Sequence, residues 1–170
     1  MANKSGIILL ALSLPLSGAC SQNLDQVETA VSVAYATVHL PADSLHQALA
    51  GADSAAYVLF DVRQPEEYQL SRIGNAIQID PDLSATDFAN LHSQTVSGKK
   101  IVFYCSVGYR SSQLLQRVEE VALAAGAASL ANLRGGIFRW YNQDLPIEAS
   151  GDSVQVHPYN RQWGKLLKDK

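Results

Sequence analysis

Apolar residues in this chain fall either in short continuous runs or at three- and four-residue spacing. Tyr57-Val58-Leu59-Phe60 and Ile101-Val102-Phe103-Tyr104 are runs of the first kind, the pattern of strands covered on both faces. Ser129 to Leu133 predicts a further strand, and Tyr35 to Leu40 and Ala76 to Ile79 predict shorter ones. Within Ser111 to Ala125, residues Leu114, Leu115, Val118, Val121 and Ala122 keep a helical period that Gly126 ends. Pro41-Ala42-Asp43 opens a helix through Leu45, Ala48 and Leu49. Asp82 to Leu91 predicts another helix, and Ile137 to Tyr141 a short closing one. Strands alternating with helices predict an α/β fold, a five-stranded, mostly parallel sheet with helices on both faces. In such sheets chemistry gathers at the carboxyl ends of the strands.

The amino terminus follows a different pattern. Lys4 precedes an uncharged stretch, Gly6 to Leu16, and the small residues Ser17-Gly18-Ala19 lead to Cys20. A positive start, a short apolar run and a small-residue end make an export signal rather than a bilayer-spanning helix. Pro15 and the abrupt change to Ser21-Gln22-Asn23 argue against a core helix here. Ser17-Gly18-Ala19-Cys20 resembles a bacterial lipoprotein cleavage box, in which the cysteine becomes the first residue and carries lipid. The resemblance implies lipidation at Cys20 and a membrane-anchored protein facing the periplasm or cell surface. Residues 20–36, rich in Ser, Ala, Thr and Gln, read as a tether. Residues 37–150 read as one domain and 151–170 as a tail, which fits a lid packed on the domain better than a membrane contact.

Composition narrows the function classes. The chain has 170 residues, 47% hydrophobic and 17% charged, enough for one domain with its own core. Net charge is −3 with no block of Lys and Arg, the wrong balance for a protein that neutralises nucleic-acid phosphates. Two cysteines cannot build a disulfide-rich scaffold or a four-cysteine zinc site. His39, His46, His92 and His157 are scattered without ligand spacing, so no metal is expected.

The candidate chemistry lies in Cys105-Ser106-Val107-Gly108-Tyr109-Arg110-Ser111. Cys105 falls where a buried strand stops, and Ser111 or Ser112 is a plausible N-cap for the helix that follows. The turn's N–H groups would then converge on the thiol, with Arg110 beside it and Gly108 allowing the tight turn. Aligned donors and a guanidinium favour negative charge on the sulfur. A merely buried structural cysteine is the simpler alternative, and the neighbouring Gly-x-Arg-Ser argues for function. Asp61 and Arg63 end the other buried run and are candidate pocket supports, although an ion pair between them is the simpler reading. Glu66 and Glu67 suit a helix start or a partner for Arg63.

Cys105 to Arg110 matches the Cys-x-x-Gly-x-Arg active-site loop of rhodanese-like sulfurtransferases, and three further stretches resemble that family in order. They are Asp61-Val62-Arg63 with Glu66-Glu67-Tyr68, Ser71 to Ala76, and Leu133-Arg134-Gly135-Gly136 with Trp140 and Leu145-Pro146. The resemblance implies a single rhodanese-like domain whose Cys105 takes a sulfur from a small donor such as thiosulfate. Cys105 would hold it as a persulfide and pass it to cyanide or a thiol, with no cofactor. Four residues separate Cys105 from Arg110, where related phosphatases and arsenate reductases carry five; this favours sulfur transfer over oxyanion chemistry. Retention of the cysteine argues against a non-catalytic binding module.

Overall fold

The computed structural model describes residues 23–150 and 155–169. Its first element corrects the expected tether: Leu24–Ala34 is a helix, α1. Asn23 caps it, its side chain accepting from the Gln26 N–H while the Gln26 side chain accepts from the Asn23 N–H. Leu24, Val27 and Val31 make a narrow apolar stripe that joins the core. Beside them the buried Glu28 carboxylate accepts from Arg134 Nε at 3.0 Å and Arg139 Nε at 2.6 Å. The small polar residues that suggested a linker are the helix's solvent face. Cys20 and residues 1–22 lie outside the described residues.

The chain continues through β1 (His39–Leu40), α2 (Ala42–Ala50), a 3-10 turn (Ala52–Ala56), β2 (Tyr57–Asp61), α3 (Pro65–Leu70), β3 (Ser71–Arg72) and β4 (Ile77–Gln78). Then come α4 (Ala85–Val96), β5 (Lys100–Tyr104), α5 (Tyr109–Ala124), β6 (Ser129–Leu133), α6 (Gly136–Asn142), β7 (Glu148–Ala149) and a 3-10 turn (Trp163–Leu166). Five strands form one sheet in the order β1-β6-β5-β2-β4, with every neighbouring pair parallel. The α/β architecture is therefore as expected. β3 and β7 form a separate antiparallel pair, which the sequence pattern did not indicate because Ser71-Arg72 and Glu148-Ala149 carry no apolar run.

Strand alternation divides the interior in two. On β5, Ile101 and Phe103 face α4 and α5 together with Phe60, Phe88, Leu114, Leu115 and Val118. Val102 and Tyr104 face the other way, among Leu24, Leu45, Leu59, Leu133, Phe138 and Trp140 from the α1, α2 and α6 side. Both faces are covered, which is why β2 and β5 read as unbroken apolar runs. The tail closes the second face: Val156 is buried, and Trp163, Leu166 and Leu167 pack against the same cluster. Asn142 fixes it, donating from Nδ2 to the Leu166 carbonyl at 2.7 Å and accepting from the Lys168 N–H at 2.9 Å. This agrees with a tail folded onto the domain.

If α1 is part of the core rather than a leash, Leu24→Ala should destabilise the domain by about 2 kcal/mol or more in urea unfolding. Val33→Ala, at a position 84% exposed on the same helix, should change stability by less than about 0.5 kcal/mol.

Candidate active site

Cys105 follows β5, and the strand's alternation turns its side chain to the α4–α5 side, where it is 1% exposed. The backbone then folds back: the Gly108 N–H donates to Cys105 Sγ at 3.2 Å. Gly108 takes φ 97°, and a Cβ there would sit 3.0 Å from Asn132 Nδ2, so the position requires glycine. Helix α5 starts immediately afterwards, with Gly108 as its N-cap. The expected serine cap is thereby corrected. Ser112 Oγ donates to the Gly108 carbonyl at 2.8 Å, and Ser111 Oγ donates to Asn132 Oδ1 at 2.6 Å. Both serines are buried struts from helix to loop and to β6. Asn132 completes the brace by donating from Nδ2 to the Gly108 carbonyl at 3.2 Å.

The other side of the loop is held by α6. The N–H groups of Ile137 and Phe138 donate to the carbonyls of Cys105 and Ser106 at 2.9 and 3.0 Å. Gly136 has φ 56°, and a Cβ on it would overlap the Cys105 carbonyl oxygen and lie 2.6 Å from that of Ser106. With these two carbonyls committed to α6, the turn is free to direct an N–H at the sulfur. Val107 is buried beneath the loop and Tyr109 is half exposed at its rim. Tyr109 meets the Tyr35 ring edge-on at 5.5 Å. Burial, then the contact with Tyr109, pushes the Tyr35 hydroxyl up to about 12.

Glu66 and Glu67 do not pair with Arg63. Asp61 does, receiving Arg63 Nε at 2.9 Å and Nη2 at 2.6 Å, with both side chains fully buried. Arg63 Nη2 also donates to the Ser71 carbonyl at 2.6 Å, tying β2 to the β3 turn. This is the simpler reading of the pair, an internal brace. Glu67 instead turns to the loop. Arg110 donates to it through Nη1 at 2.8 Å and Nη2 at 2.9 Å, a bidentate fork. Nη2 also reaches Ser106 Oγ at 3.0 Å, and that hydroxyl donates to Glu67 Oε1 at 3.1 Å. A capping box fixes the carboxylate from behind, since the Gln64 N–H donates to Glu67 Oε2 at 3.0 Å. Burial alone would raise the Glu67 pKa, but the Arg110 hydrogen bonds and charge outweigh it and hold the carboxyl below its ordinary 4.5. Burial likewise opposes the Arg110 charge, and Glu67 with the nearby Cys105 more than restores it.

Sequence reasoning placed Cys105 and its loop but not Glu67, Asn132 or Tyr159, whose ring lies 4.8 Å from the Arg110 guanidinium carbon. Among the described residues, no cluster of three or more His, Cys, Asp or Glu is placed to hold a metal. A cavity of about 710 Å³ lies elsewhere, lined by residues including His46, Tyr57, Trp140 and Glu148 and by none from the cysteine loop.

A family model, the rhodanese-like domain, matches residues 42–143, which contain the whole of this loop. The chain belongs to the rhodanese-like family. A sulfurtransferase of Allochromatium vinosum is 32% identical over 110 residues, spanning 65% of this chain and 94% of that protein. Solved structures share the fold at lower identity. A Bacillus halodurans protein has TM-score 0.54 at 17% identity, covering 75% of this chain and 87% of its own. The As-Sb reductase from Leishmania major has TM-score 0.55 at 20% identity, covering 63% and 78%. A rhodanese-like domain from Anabaena has TM-score 0.51 at 22% identity, covering 70% and 90%. In this rhodanese-like chain, α1 and the tail after residue 143 lie outside the family match.

Two outcomes follow from the geometry. Gly136→Ala should cost more than about 2 kcal/mol in denaturant unfolding, because the backbone must leave its left-handed conformation or part from the loop. The depressed Glu67 pKa stabilises the fold at pH above its unfolded value and loses that contribution as pH falls through the folded value. Unfolding free energy measured from pH 6 downward should therefore decline less steeply in Glu67→Gln than in the parent.

Proposed function

We propose that the protein is a sulfurtransferase working through a persulfide on Cys105. The observation that carries this is the short loop from Cys105 to Arg110, with an amide aimed at the sulfur. In the first half-reaction the Cys105 thiolate attacks the outer sulfur of thiosulfate. The S–S bond of the donor breaks, its electron pair leaves as sulfite, and Cys105 keeps the transferred sulfur. In the second, cyanide or a thiol attacks that outer sulfur and the Cys105 thiolate is the leaving group. This is covalent catalysis in two steps, with ping-pong kinetics. The Gly108 N–H, directed at Sγ, stabilises the Cys105 thiolate that attacks in the first step and leaves in the second. The 32% identity to a protein named a sulfurtransferase supports the same reading. Phosphatase or arsenate chemistry requires a cradle wide enough for a tetrahedral oxyanion, and the four intervening residues with the Ser106 hydroxyl tied to Glu67 leave a narrower one.

Incubation with thiosulfate should add one sulfur, about 32 Da, to the parent protein and none to Cys105→Ser. Cys105→Ser should lose sulfur transfer while unfolding at the same denaturant concentration as the parent. Turnover of aryl phosphate or arsenate with no sulfur uptake would overturn the assignment.

We also propose that the protein is exported and anchored by lipid at Cys20, on the support of the Lys4-to-Cys20 sequence alone. The expected result is a membrane-fraction protein beginning at Cys20, and Cys20→Ala should be released or left unprocessed. An unmodified native chain beginning elsewhere defeats this.

A further inference from the structure

Chain on both sides of the family match, before residue 42 and after residue 143, brings a tyrosine to the cysteine loop. Tyr35, at the end of α1, meets the Tyr109 ring at 5.5 Å. Tyr159, in the tail, has the Arg110 guanidinium carbon over its ring at 4.8 Å. Tyr109 and Arg110 are the first two residues of α5, so the two added segments reach consecutive positions on the rim above Cys105. Resting on the sulfurtransferase reading, we propose that these segments make the mouth size-selective. Tyr159 is a specificity-determining residue that admits a small thiol or cyanide to the Cys105 persulfide and turns away a cysteine on the surface of a folded protein.

The tail is built to hold this ring in place. Val156 is buried on one side of it, and Trp163, Leu166 and Leu167 pack against the same core cluster on the other. Between these anchors the chain closes on itself. The Gly164 N–H donates to the Asn160 carbonyl at 2.9 Å, and Asn160 Oδ1 accepts from the N–H groups of Gln162 and Trp163, each at 3.0 Å. A Cβ on Gly164 would come within 2.8 Å of Pro158 Cβ. At the tip Tyr159 has φ 62°, a left-handed conformation that a bulky residue keeps only where its surroundings impose it. Its N–H donates to His157 Nδ1 at 3.1 Å. The ring so aimed is 48% exposed, as is Tyr109, so neither fills the core and both stand proud of the loop. Cys105 lies below them at 1% exposure. An acceptor must therefore bring its nucleophilic atom down past the rings. A small thiol does so, whereas a cysteine set in a folded surface carries its neighbours into Tyr159 and Tyr109. The transfer itself balances without an oxidant: R–S⁻ attacks the outer sulfur of Cys105–S–SH, the S–S bond breaks, and the Cys105 thiolate leaves with the electron pair.

The test loads Cys105 of the full-length chain with thiosulfate and discharges it with either N-acetylcysteine or ubiquitin carrying one engineered surface cysteine. The second-order rate of persulfide loss is read by mass. In the parent the small thiol should react faster by roughly a hundredfold, the protein thiol being rejected by clash. Tyr159→Ala should raise the ubiquitin rate on the order of tenfold while changing the N-acetylcysteine rate by less than about threefold. A merely structural role for the tyrosine would move both rates together. Tyr159→Phe, which keeps the ring, should keep the parent's ratio. Tyr159→Gly removes the ring while easing the left-handed backbone, and it should match Tyr159→Ala; it decides if the alanine variant fails to fold. A parent that discharges to both thiols at similar rates overturns the proposal, as does a folded ring-less variant with the parent's ratio, and either result leaves the sulfurtransferase reading intact. Failure of thiosulfate to put sulfur on Cys105 overturns that underlying reading instead.

Discussion

The candidate site depends on a backbone clasp. Two N–H groups at the start of α6 donate to the carbonyls of Cys105 and Ser106, and the approach is close enough that residue 136 has no room for a Cβ. A strand end would ordinarily leave those carbonyls to solvent or to another strand. Here they are satisfied by a helix that arrives from β6, so the following peptide turns over and Gly108 can aim its N–H at the sulfur. β6 supplies the rest of the brace through Asn132, which holds both Ser111 and the Gly108 carbonyl. The cysteine's surroundings are thus built by β5, β6 and α6 together, with little freedom left in the loop.

Two buried acid–base pairs flank this loop and do different work. Asp61 and Arg63 are both fully buried, and Arg63 reaches onward to the Ser71 carbonyl, so the pair joins β2 to the β3 turn. A pair so placed gives up the hydration of both charges, and its geometry and extra hydrogen bonds must offset that loss. Glu67 and Arg110 stand nearer solvent, with the Arg110 side chain 19% exposed. Their charges cancel near Cys105, so the pair sets the charge of the site's wall as well as bracing it. The two arginines, Arg63 and Arg110, thus serve the interior and the mouth respectively.

The sheet was legible because its central strands, β2 and β5, are covered on both faces and carry continuous apolar runs. α5 and α6 were legible from helical spacing. The position of Cys105 followed from the end of a strand. Long-range pairings were not legible in this way. Nothing local distinguishes Glu67 from Glu66, and the choice between Arg63 and Arg110 as partner is made by the path of α3 across the strand ends. The cap of α5 was not legible because serine is the commoner cap by chemistry, whereas at Gly108 the left-handed backbone and the nearby Asn132 decide. α1 was hidden by composition: Leu24, Val27 and Val31 are a sparse stripe, and the buried charge of Glu28 is intelligible only once Arg134 and Arg139 are seen to meet it.

That first helix also fixes how far the domain can stand from its proposed anchor. With α1 folded onto the core from Leu24 and capped at Asn23, only Ser21 and Gln22 lie between Cys20 and that cap in the sequence. Three residue steps reach about 10 Å at full extension. A lipid on Cys20 would therefore hold the domain against the headgroups, with no long stalk to lift it clear. Encounters with partners in the same bilayer would be searches in two dimensions, while soluble donors would have to approach through the thin layer of water beside the membrane.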